Sequence, residues 1–166
     1  LAKLLVELEK VEGLKRIRIS SIEASQITDE VVAVIDRSEK ICRHLHVPLQ
    51  AGDDAVLKRM RRKYTTAEFM ERIHKVRKAL PGVAITTDVI VGFPGETEEQ
   101  FVAGYNFIKE LGFAELHVFP YSMRTGTPAA RMEDQVDEEV KKERVAKLIE
   151  LNQQLSVEYA QPFIGD

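Results

Sequence analysis

The chain has 166 residues, 44% of them hydrophobic and 31% charged, with a formal net charge of -3. That balance suits one globular domain with its own core and excludes a global basic field that would draw in nucleic acid. The single cysteine, Cys42, excludes an internal disulfide and a multi-cysteine metal site within these residues. With no membrane-length apolar run and no signal-peptide pattern, a reducing, cytoplasmic setting without membrane contact is expected.

In chain order, residues 1–12 carry a helical pattern with Leu4, Leu5, Leu8 and Val11 on one face, stopped by Gly13. The chain opens inside that helix, and its last residues, FIGD (163–166), read as the entry to a further element. A piece of a longer protein is therefore expected. Residues 15–21 (KRIRISS) alternate like a strand, and Thr28 caps a helix reaching Ser38. Residues 43–49 (RHLHVPL) form a second strand, followed by a short helix over 54–61. Thr66 is expected to cap a longer helix that ends at Pro81. A third strand over 83–91 is followed by a helix from Thr97 to Leu111, ended by Gly112. A fourth strand over 114–121 leads through a turn-rich loop, 122–128, to a last helix over 137–160.

Regular alternation of strand and helix implies parallel strands with crossover helices. The strand faces choose between an open doubly wound sheet and a barrel. Ile17 and Ile19 oppose Arg16, Arg18 and Ser20; Leu45, Val47 and Leu49 oppose His44 and His46; Ile85, Val89 and Val91 oppose Thr86 and Asp88. A sheet covered on both sides would be apolar on both. The expected fold is therefore α/β: a partial (β/α) barrel of about four parallel strands with outer helices and a polar interior. Self-satisfaction of that interior through an Arg18–Asp88 ion pair is the structural alternative. A barrel arc also leaves its first strand with an open edge, which either self-associates or is covered by the 1–12 helix.

In such a fold the functional rim lies at the carboxyl ends of the strands. The segments that land there are SSIE (20–23), QAGDD (50–54), GFPGE (92–96), and Tyr121, Ser122 and the following RTGTP (124–128). Gly92 lacks a Cβ, so a planar ring can approach its backbone, and Phe93 offers an apolar surface. The alternative is a plain turn before a helix cap. Gly52, Asp53 and Asp54 suit ribose hydroxyls or, equally, a helix N-cap. Lys58, Arg59, Arg61, Arg62 and Lys63 form a basic run. It suits a carboxylate or an RNA backbone, or simply the dipole at a helix end. His44 and His46 suit ligands or proton carriers, but with no carboxylate at metal-ligand spacing they read as polar barrel filling, and Cys42 reads as a small buried residue.

Four segments, RIRISSIE (16–23), ICRHLHVPLQAGDDAVLKRMRRKYT (41–65), AITTDVIVGFPGETEEQF (84–101) and LHVFPYSMRTGTPAA (116–130), occur in this order. Together they closely resemble the radical S-adenosylmethionine methylthiotransferases, especially the branch acting on threonylcarbamoyladenosine in tRNA. The resemblance spans nearly the whole chain. It implies an N-terminal cluster-binding domain, a central radical domain and a C-terminal RNA-binding domain. Residues 1–166 would be the C-terminal portion of the central barrel, with the other two domains absent from it.

It further implies S-adenosylmethionine and two [4Fe-4S] clusters as cofactors, tRNA as partner, and a methylthio group added to an adenosine beside the anticodon. The cluster loop has no counterpart here, so no catalytic or metal-ligating residue is expected and the chain alone should be inactive. By resemblance, Gly92 and Phe93 fall where the adenine binds, with Tyr121 and Ser122 beside it. Ser20 and Gln50 fall near the ribose and methionine moieties, and Arg62, in M-x-R-x-Y-T, near the methionine carboxylate. Residues 51–53 read AGD where relatives commonly have Ser-Gly-Ser. Isopentenylated adenosine or a ribosomal-protein aspartate is the alternative substrate. A cluster-free β/α nucleotide-binding module is the alternative class.

Overall fold

The computed structural model describes residues 1–165. Three strands, β1 (His44–His46), β2 (Ala84–Val91) and β3 (Glu115–Pro120), form a parallel sheet in the order β1-β2-β3. The register runs His46↔Thr86 between β1 and β2, and Asp88↔His117 and Val91↔Pro120 between β2 and β3. The expected first strand is looser than a strand. It meets its neighbour only through isolated parallel bridges, Ile17↔Ile41 and Ser21↔His46. The partner spacing changes from 24 to 25 residues between these bridges, so one extra residue interrupts the ladder, as at a bulge.

The helices are α1 (Ala2–Glu9), α2 (Asp29–Arg37), α3 (Asp54–Arg59), α4 (Thr66–Ala79), α5 (Glu98–Leu111) and α6 (Glu138–Ala160). Most begin at a side-chain cap that takes up an otherwise unpaired N–H. Thr28 accepts from Val31, Asp53 from Val56, and Asp137 from Glu139. The α4 cap is Thr65, one residue before the expected Thr66, in a capping box with Glu68. Thr97 and Gln100 form the same motif at α5.

In α1 only Leu5 is buried, while Leu4 and Val11 are exposed. The helix ends at Glu9, so Val11 has left the stripe that the period assigned to it. Across an open cleft, α1 faces residues 17–22.

The core lies on one side of the sheet. Leu45, Val47, Leu49, Ile85, Val89 and Val91 pack against Val31 and Ile35 of α2, Phe69 and Ile73 of α4, Ile108 of α5, and Leu148 and Leu151 of α6. Burial of each such side chain contributes about 1.5–3 kcal/mol before ordering costs. The other side carries half-buried His44, His46 and Asp88 with exposed His117 and Phe119. This is the one-sided polarity expected of a barrel interior. The α5 helix approaches the loop after β1 so closely that a Cβ on Gly52 would lie 2.7 Å from the Gly104 Cα.

Candidate functional site

Among the described residues, a cavity of about 560 Å³ opens at the carboxyl ends of the strands. Gln50, Met60, Arg62, Asp88, Ile90, Phe93, Phe119, Tyr121, Ser122, Arg124 and Thr127 line it. The chain thus brings five expected residues together: Gln50, Arg62, Phe93, Tyr121 and Ser122. Gln50 sits at φ 71°, an uncommon conformation for a residue with a Cβ. Its N–H donates to the Asp88 carbonyl and its carbonyl accepts from Ile90, both at 2.8 Å. Strand pairing therefore pins a strained residue at the cavity wall. The Tyr64 hydroxyl donates to the Leu49 carbonyl at 2.8 Å and holds the chain entering that turn.

Phe93 and Tyr121 meet edge to face, with centroids 5.3 Å apart. The Tyr121 hydroxyl is buried without a hydrogen-bond partner. Arg62 and Arg124 bring cations to the lining, and both are exposed. The basic run is therefore divided. Arg59 donates to Gln100 Oε1 at 2.6 Å and ties α3 to α5, Arg62 reaches the cavity, and Lys58, Arg61 and Lys63 remain exposed.

Two expected residues lie apart from this cavity. Ser20 is exposed and lines the α1 cleft. Gly92 is buried beside Lys141 of α6, whose aliphatic stem fills the space that a Cβ would occupy. The Gly92 N–H is already used, donating to Glu96 Oε2 at 2.6 Å. Glycine is needed here for φ 70° and for the Lys141 contact. Asp53 and Asp54 are structural as well. Asp53 caps α3, and Asp54 accepts from the Thr66 N–H at 2.7 Å.

The sequence pattern gave no warning of the support behind the GFPGE turn. Glu96 and Arg144 are both buried and form an ion pair at 2.7 Å. Arg144 also donates to the Glu96 carbonyl, reaches Glu98 at 3.2 Å and lies over the Phe101 ring. Burial pushes the Glu96 carboxyl up, against the lowering effects of the Gly92 N–H and of Arg144. Lys141 pairs with Glu138 at 2.7 Å and stands 5.5 Å from the centre of the Tyr121 ring. The only trace in the sequence is a pair of cations three residues apart on α6, a pattern shared with solvated helix faces.

The polar interior pairs differently from expectation. Arg18 donates to His44 Nε2 at 3.0 Å, and Asp88 contacts His46 Nε2 and His117 Nδ1, each at 3.2 Å. The register explains this. Ser21 pairs with His46, and His46 with Thr86, which leaves Arg18 and Asp88 five residue steps apart, about 16 Å along the strands. Cys42 is half-buried rather than buried.

Burial lowers the His44 pKa, helped by Arg18 and His46. The unfolded chain therefore takes up a proton below about pH 6.5 that the folded chain resists, and stability falls as pH drops through that region. Urea midpoints at about pH 8 and pH 5 should show a smaller decline for His44→Gln than for the parent. Equal declines would remove His44 as the cause.

A three-stranded parallel sheet with outer helices, a polar inner face and a cavity at its carboxyl rim defines an arc of a β/α barrel. The model of the Radical SAM superfamily matches residues 1–108, and the chain belongs to that superfamily. The chain is 70% identical over 98% of its length to the threonylcarbamoyladenosine tRNA methylthiotransferase MtaB of Bacillus subtilis (strain 168), covering 36% of that protein. It is 48% identical over 95% of its length to the tRNA-2-methylthio-N(6)-dimethylallyladenosine synthase of Thermoanaerobacter pseudethanolicus (strain ATCC 33223 / 39E), covering 33% of it. Among solved structures, coproporphyrinogen III oxidase of Escherichia coli, a radical SAM enzyme, superposes with a TM-score of 0.69 at 21% identity. That superposition covers 93% of this chain and 36% of the oxidase. The chain thus spans about a third of the length of these curated relatives.

Membership implies S-adenosylmethionine and a [4Fe-4S] cluster as the family's cofactors. The two differ in fit. One cysteine falls short of the thiolates a cluster requires, so the chain's own residues do not hold it. The aromatic pair, the orphan Tyr121 hydroxyl and the Arg62 guanidinium fit a nucleoside joined to an amino acid.

Proposed function

We propose that this chain forms the distal wall of the S-adenosylmethionine site in a tRNA methylthiotransferase acting on threonylcarbamoyladenosine. The gathering of Gln50, Arg62, Phe93, Tyr121 and Ser122 around one cavity carries the reading. Phe93 and Tyr121 supply an apolar flank for the adenine, Arg62 a charge-assisted contact for the methionine carboxylate, and Gln50 an amide for the polar middle of the molecule. Ser20 and Gly92 belong to the same proposed site at one remove: Ser20 toward the neighbouring barrel wall, Gly92 as the bend that presents Phe93. When bound, S-adenosylmethionine supplies a sulfonium whose reductive cleavage starts the family's chemistry. The residues of this chain bind and orient it.

In the same reading, other parts of a longer protein hold two [4Fe-4S] clusters and an RNA-binding domain, and the whole acts on tRNA in the cytoplasm. The 70% identity to the threonylcarbamoyladenosine enzyme of Bacillus subtilis supports the substrate branch.

The test is direct binding of S-adenosylmethionine to this chain by calorimetry. Arg62→Ala, on an exposed side chain, should weaken binding about 10-fold or more while leaving the thermal midpoint unchanged, since hydrogen bonds to charged groups contribute about 1.5–3 kcal/mol. Equal affinity in parent and variant would remove Arg62 from the site.

A further inference from the structure

The inner face of the sheet holds a group of side chains that the cofactor site does not use. One ligand atom from each of His46, Asp88 and His117 lies within 4.8 Å of the other two. The residues come from β1, β2 and β3 in turn, so the group exists only because the three strands are parallel and in register. We propose that His46, Asp88 and His117 form a binding site for a divalent first-row transition ion such as Zn²⁺ or Co²⁺, separate from any iron–sulfur cluster.

The distances leave the three side chains spaced as ligands around one ion would be, although His117 Nδ1 and Asp88 Oδ1 at 3.2 Å also meet hydrogen-bond geometry. Both His–Asp contacts are 3.2 Å, longer than the roughly 2.7–2.9 Å of a charge-assisted N–H···O bond. Each contact uses a different oxygen of Asp88, Oδ2 for His46 and Oδ1 for His117, and each is near the roughly 3.3–3.4 Å that separates two ligand atoms on metal arms of about 2.0–2.1 Å.

The second ring nitrogen of His46 has the kind of outer partner that metal-bound histidines use to fix tautomer and orientation, and that of His117 has a carboxylate nearby but beyond hydrogen-bond distance. His46 Nδ1 lies 2.9 Å from Thr86 Oγ1, and His117 Nε2 lies 3.9 Å from Glu115 Oε2. The His46 and His117 rings stack with centroids 5.2 Å apart. The His117 side chain is 45% exposed, and its ligand atom lies within 4.8 Å of those of His46 and Asp88. Two imidazoles and one carboxylate suit Zn²⁺, Co²⁺ or Fe²⁺ better than Mg²⁺ or Ca²⁺.

Three protein ligands leave at least one coordination position open. Asp88 also lines the cavity, so an ion here stands at the cavity floor, with a position for water or for an oxygen or nitrogen of the molecule bound above. The site requires no S-adenosylmethionine. Its failure would leave the cofactor-wall reading intact, and the converse also holds.

The experiment is a Co²⁺ and Zn²⁺ titration of this chain, free of any histidine tag and without S-adenosylmethionine, followed by calorimetry and by Co²⁺ visible absorption. The expected result is one equivalent bound, no matching signal from Mg²⁺, and affinity reduced about 10-fold or more by His46→Ala or His117→Ala. His117 is exposed, so His117→Ala separates lost ligation from lost folding. His74→Ala and Cys42→Ser should bind as the parent does. The proposal is overturned by no saturable binding, by unchanged affinity in both ligand variants, or by a thiolate-to-cobalt band that vanishes in Cys42→Ser.

Discussion

Arg144→Ala is expected to destabilise the chain by about 3–5 kcal/mol, because it leaves the buried Glu96 carboxylate without its counter-charge. In a domain of this size that is a fall in Tm of roughly 6–20 °C. Both side chains are 5% exposed, so water cannot replace the lost partner. The damage should concentrate at the GFPGE turn, since Glu96 is also the acceptor for the Gly92 N–H. Hydrogen exchange should show that amide losing protection first. The double variant Arg144→Met with Glu96→Gln removes both charges while keeping most of the volume, and should recover much of the loss. An Arg144→Ala chain within about 1 kcal/mol of the parent would mean that the pair is solvated and the turn holds itself.

The second large effect is an asymmetry between two glycines. A Cβ on Gly52 meets the Cα and carbonyl oxygen of Gly104, both at 2.7 Å. Backbone cannot rotate aside as a side chain can, so α5 must move. Gly52→Ala should cost about 3 kcal/mol, at the upper end for overpacking. A Cβ on Gly104 meets the Gly52 backbone at 3.5 Å, an ordinary contact. Gly104→Ala should therefore be neutral or stabilising by up to about 1 kcal/mol, since alanine favours the helix interior. Urea denaturation of the two variants gives the comparison, and similar losses in both would argue against the close approach. The QAG stretch thus owes its glycine to helix packing, and the neighbouring Asp53 to capping.

Much of the frame was legible because it depends on local rules. The alternation of Leu45, Val47 and Leu49 with His44 and His46 places one face of a strand in the core wherever that strand sits. The caps at Thr28 and Thr97 and the stop at Gly112 follow from backbone groups within a few residues. The GFPG turn and the M-x-R-x-Y-T run pointed to the rim, and Phe93 and Arg62 both reach the cavity. The misread ion pair has one cause, the relative height of neighbouring strands. Arg18 and Asp88 look like partners when faces alone are compared, and only the register shows them to be five steps apart.

The sequence alone therefore determined the element order from the second expected strand onward, the buried and open faces of the sheet, and the family, because periodicity, capping and motif are properties of short stretches. Tertiary structure decided what those stretches do to one another. It turned Gly92 toward Lys141 rather than toward the cavity, and set Arg144 of α6 behind a turn 48 residues away. It also assembled His46, Asp88 and His117 into one cluster. These relations depend on register, crossover and helix placement, which no single segment encodes. A buried cation and a solvated one occupy the same place in a helical repeat until the partner across the core is known.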